Sequence, residues 1–296
     1  MSSPRGAFAR TTNALLEEDP RVAVVLAEIS RQYFPDSARR HPHRVVNVGI
    51  REQLLVSVGA GLSLAGMRPV VHTFGSFLVE RAFEQVKLDF VHQGVGGVLV
   101  GSGGSFDMPG AGRTHQSPGD VALLDTLDVA IEAPATATGV EAALRRAVAG
   151  DGLHYVRVTE QVDRTPVATE PGRLTAVRRG RGAVVVVLGP GLDAVLAGTE
   201  GLDVTVLHAT TVRPFDAAGL RAHVRGPADV VLVEPWLAGT SSRLVADALV
   251  DVPHRLLALG VDRTELRRYG TPADHLRAHA LDAGGIRRSV TGFVGA

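Results

Sequence analysis

The sequence predicts an α/β protein made of two parallel-sheet domains in tandem. Short apolar stretches alternate with helix-like stretches along most of the chain, the pattern of parallel strands covered by helices on both faces. The alternation breaks once, where "VDRTPVATEPGRLTAVRRGRG" (162–182) loses periodicity and gathers Pro, Gly and arginines, the composition of a linker. A chain of 296 residues that is 45% hydrophobic has the material for two buried cores. The expected division is a first domain over 1–165, a linker over 166–180 and a second domain over 181–296.

In the first domain, strands are expected at 22–29 (VAVVLAEI), 44–48 (RVVNV), 69–74 (PVVHTF), 96–101 (GGVLVG), 128–134 (DVAIEAP) and 154–159 (HYVRVT), each a short run rich in β-branched residues. Between the second and third, "GIREQ" (49–53) opens a helix with apolar residues at Leu54, Leu55, Val58, Leu62 and Leu64, and Gly66 and Pro69 supply its stop signals. Gly59 and Gly61 inside it cost about 1 kcal/mol each against Ala, so a close backbone approach is expected there. "GSGGSFDMPGAGRTHQSPGD" (101–120) is too Gly-rich and polar for an element and is expected to be a long loop, with Ser117 and Pro118 marking the next helix start. The second domain repeats the alternation, with strands expected at 182–189, 202–209, 228–235 and 254–261.

Charge and composition exclude several classes of partner. Lys plus Arg (31) balance Asp plus Glu (31), so no whole-chain field recruits nucleic acid or an acidic membrane. There is no cysteine, which removes disulfides, thiolate metal sites and a Cys nucleophile. The start, "MSSPRGAFARTTNALL", lacks a leader-like apolar core, and no apolar run reaches the roughly 18 residues of a spanning helix. The chain is expected to be soluble and cytoplasmic.

Several residues have both a plain and a chemical reading. Glu52 is either a carboxylate stabilised by the positive end of a helix or a sheltered acid able to share a proton with a heterocyclic nitrogen. Phe74 and Phe77 are either core filler or a ligand cradle, at the strand edge where open α/β sheets bind ligands, in a chain that is only 4% aromatic. Arg81 and Glu84 could be a solvated helix face, and His115 a structural or a functional loop histidine. "GSGG" and "GPG" complete no dinucleotide fingerprint. "RRGRG" reads as a solvated linker, and "HPH" (41–43) has no acidic partner close by and is assigned no metal.

Taken in order, "NVGIREQ", "GAGLSLAGMRPVVHTFGSFLVERAFEQ", "GRTHQ" and "HYVRVTEQ" resemble the pyrimidine-binding domain of transketolase, and "VTVLHATTVRPFD" with "VVLVEPWLAGTSSRLV" resemble that family's C-terminal domain. The resemblance covers nearly the whole chain. It implies that Glu52 contacts N1′ of the aminopyrimidine of thiamine diphosphate and favours the imino tautomer of the ring, so that the cofactor itself acts as base. It implies that Phe74 and Phe77 cradle the pyrimidine, that Glu28 stands near the family's acidic residue after the first strand, and that His115 contacts the donor's hydroxyl. Arg157 and Arg10 match arginines that hold a substrate phosphate, and Arg81 is a further substrate-binding candidate.

The departures from the pattern carry as much information. The family holds Mg2+ and the diphosphate through a Gly-Asp-Gly and a downstream Asn. Here Asn13 and Asn47, the only asparagines, both precede Gly150-Asp151-Gly152, so the diphosphate half is incomplete. The resemblance therefore implies one subunit of a split transketolase, joined to an N-terminal subunit that carries the diphosphate and Mg2+ site, as two copies of each. Ala111-Gly112 stands where the family writes Asp-Gly, and Gly103 where it has a phosphate-contacting His, which weakens selection for a standard sugar phosphate. The expected activity is ketol transfer from a ketose to an aldehyde. Two alternatives stay open: a decarboxylating relative, similar to deoxyxylulose phosphate synthase or to a 2-oxoacid dehydrogenase beta subunit, and a non-catalytic partner subunit.

Overall fold

The protein is described from a computed structural model over residues 3–224, 226–264 and 269–295. It divides into two compact units, Met1–Asp107 with Thr114–Glu160, and Met108–Arg113 with Gln161–Ala296. The change of unit thus falls at 160/161, ahead of the 165 read from composition. The first unit runs α1 (Pro4–Glu18), β1 (Val22–Leu26), α2 (Pro35–Arg40), β2 (Val45–Asn47), α3 (Glu52–Leu64) and β3 (Arg68–Phe74). Two π-helical segments, Ser76–Arg81 and Val86–His92, then flank the short α4 (Phe83–Gln85). They are followed by β4 (Gly97–Ser102), α5 (Asp120–Leu124), β5 (Ala130–Glu132), α6 (Ala137–Ala149) and β6 (Leu153–Val158).

These six strands lie in the order β5-β6-β4-β3-β1-β2 with every neighbouring pair parallel. The order reverses at β1, which has β2 on one side and β3 on the other, and a ligand crevice forms outside the carboxyl ends of strands at such a switch point. Helices α1 and α6 cover one face, where Phe8, Leu15, Leu16, Val140 and Leu144 pack on Val24, Val70, Val100 and Val156. Each large side chain buried this way contributes about 1.5–3 kcal/mol. Both helices start at a real cap: Ser3 Oγ accepts from Gly6 N, and Thr136 Oγ1 from Gly139 N.

The other face takes α3 and the second π-helical segment. Gly59 permits it: a Cβ there would lie 2.4 Å from Val71 Cγ2 and 3.3 Å from Phe90 Cζ. The close approach expected of the two glycines is real at Gly59, while nothing lies within 4 Å of a Cβ at Gly61. His72 of β3 is fully buried among these layers, and burial pulls its pKa down to about 3. The Val100 carbonyl, 2.9 Å from Nδ1, can only accept, so Nδ1 carries the proton and Nε2 accepts from Ser30 Oγ at 2.9 Å.

The second unit contains β7 (Thr175–Arg178), β8 (Val184–Leu188), α7 (Leu192–Gly198), β9 (Thr205–Ala209), β10 (Thr211–Arg213), α8 (Ala217–His223), β11 (Ala228–Leu237), α9 (Ser242–Ala248), β12 (His254–Val261), α10 (Pro272–Ala278) and α11 (Ala283–Val294). Its sheet runs β12-β11-β8-β9-β7. The first four strands are parallel, but β7 pairs antiparallel with β9. The expectation of two purely parallel sheets is corrected here, because an edge strand reached directly from a connecting segment needs no crossover helix. β7 itself lies in the stretch 166–180 that composition reads as linker. No described helix is long and apolar enough to cross a membrane.

The two glycines of α3 provide a test of this packing. Gly59→Ala is expected to lower the unfolding free energy by about 1–3 kcal/mol through overpacking, and Gly61→Ala to raise it by up to about 1 kcal/mol through helix propensity. Urea unfolding of the two variants should give opposite signs; equal destabilisation would contradict the stated packing of α3.

Candidate active site

The carboxyl-terminal edge of the first sheet gathers the chemistry. Gly49, at φ 73°, turns the chain after β2, and Glu52 becomes the first residue of α3, only 2% exposed. The helix N-terminus favours a negative charge there. Arg81 completes the compensation, its Nη1 donating to Glu52 Oε2 at 2.7 Å. Arg81 is itself 42% exposed on its side chain, and its guanidinium lies 4.0 Å over the Phe77 ring. The wide turn of the Ser76–Arg81 π-helix brings Phe77 and Arg81 to one face, and such segments recur at functional sites.

Phe74, at the end of β3, meets Phe77 edge-on with ring centroids 5.8 Å apart. The His115 ring closes the group, 5.4 Å from Phe74 and 4.9 Å from Phe77. His115 is steadied by Thr114, whose hydroxyl lies 3.0 Å from Nδ1 and whose carbonyl accepts from Ser76 Oγ at 3.2 Å. Arg5, a residue that sequence reasoning missed, reaches from α1 to within 5.3 Å of the Phe74 centroid and donates to Ser102 Oγ at 3.0 Å. Glu52, Arg81, Phe77, Phe74, His115 and Arg5 thus form one cage around an aromatic pair.

The other predicted residues lie elsewhere. Arg157 is 0% exposed. Its Nε donates to Asp120 Oδ2 at 2.8 Å and its Nη2 to Ser105 Oγ at 2.7 Å, and Tyr155 OH donates to the same Asp120 oxygen at 2.8 Å. Burial, then the Asp120 charge, pushes the Tyr155 phenol well above its ordinary pKa. In the folded chain the Arg157 guanidinium, expected to hold a substrate phosphate, is buried, with Nε and Nη2 bonded inside the fold. It stitches Ser105 and the Ser117 carbonyl, whose residues also pair through their backbones, and so closes the neck of the loop that carries His115. Arg10 sits on the exposed face of α1.

Glu28 follows β1 at φ 67°, with Oε2 accepting from Asn47 Nδ2 at 2.8 Å and Arg31 beside Oε1 at 3.3 Å. The Asn47 hydrogen bond and Arg31 hold its carboxyl below the usual range. Gly150-Asp151-Gly152 lies at the opposite, amino-terminal strand edge, where the Asp151 carbonyl accepts from Arg68 at 3.1 Å. Among the described residues no group of three or more His, Asp or Glu side chains could hold a metal ion.

Chemically, the cluster offers a sheltered carboxylate bonded to Arg81 and, under and beside that guanidinium, two aromatic rings and an imidazole. That set can orient a flat heterocycle and hydrogen-bond one of its nitrogens. The family model "Transketolase, pyrimidine binding domain" matches residues 2–164. The chain is 47% identical over 293 residues to an "Uncharacterized 33.6 kDa protein in fasciation locus" of Rhodococcoides fascians, covering 98% of this chain and 94% of that one. It is 32% identical to a 1-deoxy-D-xylulose-5-phosphate synthase of Alkalilimnicola ehrlichii, covering 97% of this chain but 47% of the synthase, so it spans about half that enzyme's length. A solved structure described as "Split gene transketolase, inactive beta4 tetramer" superposes with a TM-score of 0.84 at 25% identity, covering 99% and 98% of the two chains.

The buried support under His115 can be tested without any assay of activity. Asp120→Ala leaves the Arg157 charge and the Tyr155 hydroxyl without their shared acceptor, and should lower stability by about 3–5 kcal/mol. A chemical unfolding curve shifted by under about 1 kcal/mol would show that Asp120 is not the group that holds Arg157.

Proposed function

The chain belongs to the transketolase family, and on that premise we propose that it is the pyrimidine-side subunit of a two-subunit thiamine diphosphate enzyme, incomplete by itself, that moves a two-carbon ketol unit from a ketose to an aldehyde. The observation that carries this is the Glu52 carboxylate, 2% exposed and hydrogen-bonded to Arg81 beside the Phe74–Phe77 pair. The residues present fit the pyrimidine half of the cofactor: an acceptor for a ring nitrogen and aromatic surfaces for a flat ring. When bound, thiamine diphosphate supplies the nucleophile that cleaves a ketone beside its carbonyl and carries the two-carbon fragment.

The chain's own residues do the rest. Glu52 holds a proton at the pyrimidine nitrogen, from a site where water does not compete. Arg81 fixes the direction of that carboxyl through Oε2. Phe74 and Phe77 orient the ring and exclude solvent from it. His115, held by Thr114, hydrogen-bonds the donor's hydroxyl next to the carbonyl. The diphosphate and Mg2+ are assigned to a partner subunit, in an assembly with two copies of each chain. The likeness to a split-gene transketolase over 98% of its length supports that organisation, and the word "inactive", used of that beta-chain tetramer, fits a chain that does nothing alone.

A second reading has its own support. Identity is higher to the deoxyxylulose phosphate synthase (32%) than to the split transketolase (25%), which favours a decarboxylating two-carbon transfer from a 2-oxoacid. Carbon dioxide release separates the two, since a ketose donor yields none. In the two-subunit complex with thiamine diphosphate and Mg2+, Glu52→Ala should cut two-carbon transfer by about 10²–10⁴-fold with the fold unchanged by circular dichroism. Full activity in that variant would reject the mechanism under either reading.

A further inference from the structure

We propose that the second unit binds a small phosphate ester in a cavity at the amino-terminal edge of its sheet, with Arg179 and Arg181 as the phosphate anchors. The inference does not rest on two-carbon transfer. The cavity has a volume of about 800 Å³, within the roughly 300–1,000 Å³ of small-molecule sites. It is lined by the segment before β8, the starts of β8, β9, β11 and β12, and the end of α8.

The "RRGRG" stretch, which composition reads as a solvated linker, is fixed in place there. Gly180 N donates to Thr205 Oγ1 at 3.1 Å, and the Thr205 hydroxyl donates back to the Gly180 carbonyl at 2.9 Å. Arg181 N donates to Asp203 Oδ1 at 3.0 Å, and Gly182 N to the Asp203 carbonyl at 2.8 Å. The alternation of arginine and glycine follows from this contact. A Cβ at Gly180 would lie 2.6 Å from Val204 N, and one at Gly182 2.6 Å from Asp203 O. The glycines thus let the segment lie against the neighbouring backbone, and Arg179 and Arg181 come to the cavity wall.

The charges on that wall favour an anion. Asp229 is closed off by Arg255, whose Nε and Nη2 donate to its two oxygens at 2.7 and 2.6 Å, and Arg255 also holds the Phe293 carbonyl at 3.0 Å. Arg181 meets Asp203 through Nε at 3.2 Å with 93% of its side chain exposed, a contact that solvent leaves weak. Arg179 has no partner among the described residues. Three arginines against Asp229 and Asp203 leave an excess of positive charge even with both lining imidazoles neutral. His223 and His254 each give the Nδ1 proton to a carbonyl, of Gly219 and of Val252, at 2.8 Å, so Nε2 of each neutral ring is an acceptor. Val184, Val224, Pro227 and Pro253 supply apolar wall. Guanidinium forks suit phosphate oxygens, the imidazoles accept from hydroxyl or N–H groups, and the apolar wall covers a ring. Together these describe the phosphate ester of a sugar or a nucleoside, not free phosphate.

The test is calorimetric titration of the full chain with AMP, ribose 5-phosphate and inorganic phosphate. The expected result is saturable binding of at least one ester, roughly ten-fold or more tighter than inorganic phosphate and weakening as salt rises. Arg179→Ala should weaken that binding by roughly ten-fold or more, with the circular dichroism spectrum unchanged. Arg243→Ala, on an exposed arginine of α9 outside the cavity, should leave it as it was. Tighter binding of AMP assigns the apolar wall to a base, and tighter binding of ribose 5-phosphate assigns it to a sugar chain. No binding of either ester, equal affinity for all three probes, or binding that survives Arg179→Ala overturns the inference. So does an equal loss in Arg243→Ala. Each of these failures leaves the reading of the first unit intact.

Discussion

The Glu52–Arg81 pair is the interaction on which the first unit's ligand edge depends. A carboxylate that is 2% exposed is costly by several kcal/mol unless charge and hydrogen bonds compensate it. The start of α3 supplies part of that and Arg81 the rest. Arg81 closes the π-helical segment Ser76–Arg81 that follows β3, and its guanidinium lies over the Phe77 ring of the same segment. Phe77 then fixes the angle at which Phe74 and His115 can approach. The compensated charge and the aromatic cluster thus meet at Arg81, which bonds Glu52 and covers Phe77.

Beneath the cage lies a second buried pair with a different task. Asp120 and Arg157 are both fully buried, and neither can point outward without stranding the other. What they hold is the neck of a loop that is otherwise poor in regular structure, through Ser105 and the Ser117 carbonyl. The arrangement separates labour between two charge pairs. One faces the ligand edge with half its cation exposed, and one is closed off and keeps the loop in register with β4 and β6.

Much of this was legible from residue order. The strand cores around Val22–Leu26, Arg68–Phe74 and Leu153–Val158 follow from β-branched runs, and Glu52 was marked by the Gly-Ile-Arg-Glu-Gln turn after a strand. What was not legible involves distance along the chain or geometry that composition does not encode. Arg157 has a fork suited to anions, and its partner is 37 positions away, so only the folded chain reveals that the fork is occupied. Arg5 joins the cage because α1 lies across the sheet, a placement that no local pattern near residue 5 announces. The π-helical turns have no propensity signature distinct from an α-helix. β7 is four half-buried residues within an arginine-rich stretch, too short and polar to read as a strand.

The central claim is that this chain holds half of a thiamine diphosphate site, with Glu52 as its polar contact. Calorimetric titration of thiamine diphosphate with Mg2+ into the chain alone, the two-subunit complex and the complex bearing Glu52→Gln tests it most directly. The account predicts saturable binding by the complex, clearly weaker binding by the variant complex and none by the isolated chain. Equal binding by native and variant complexes, or binding by the isolated chain as tight as by the complex, would contradict it.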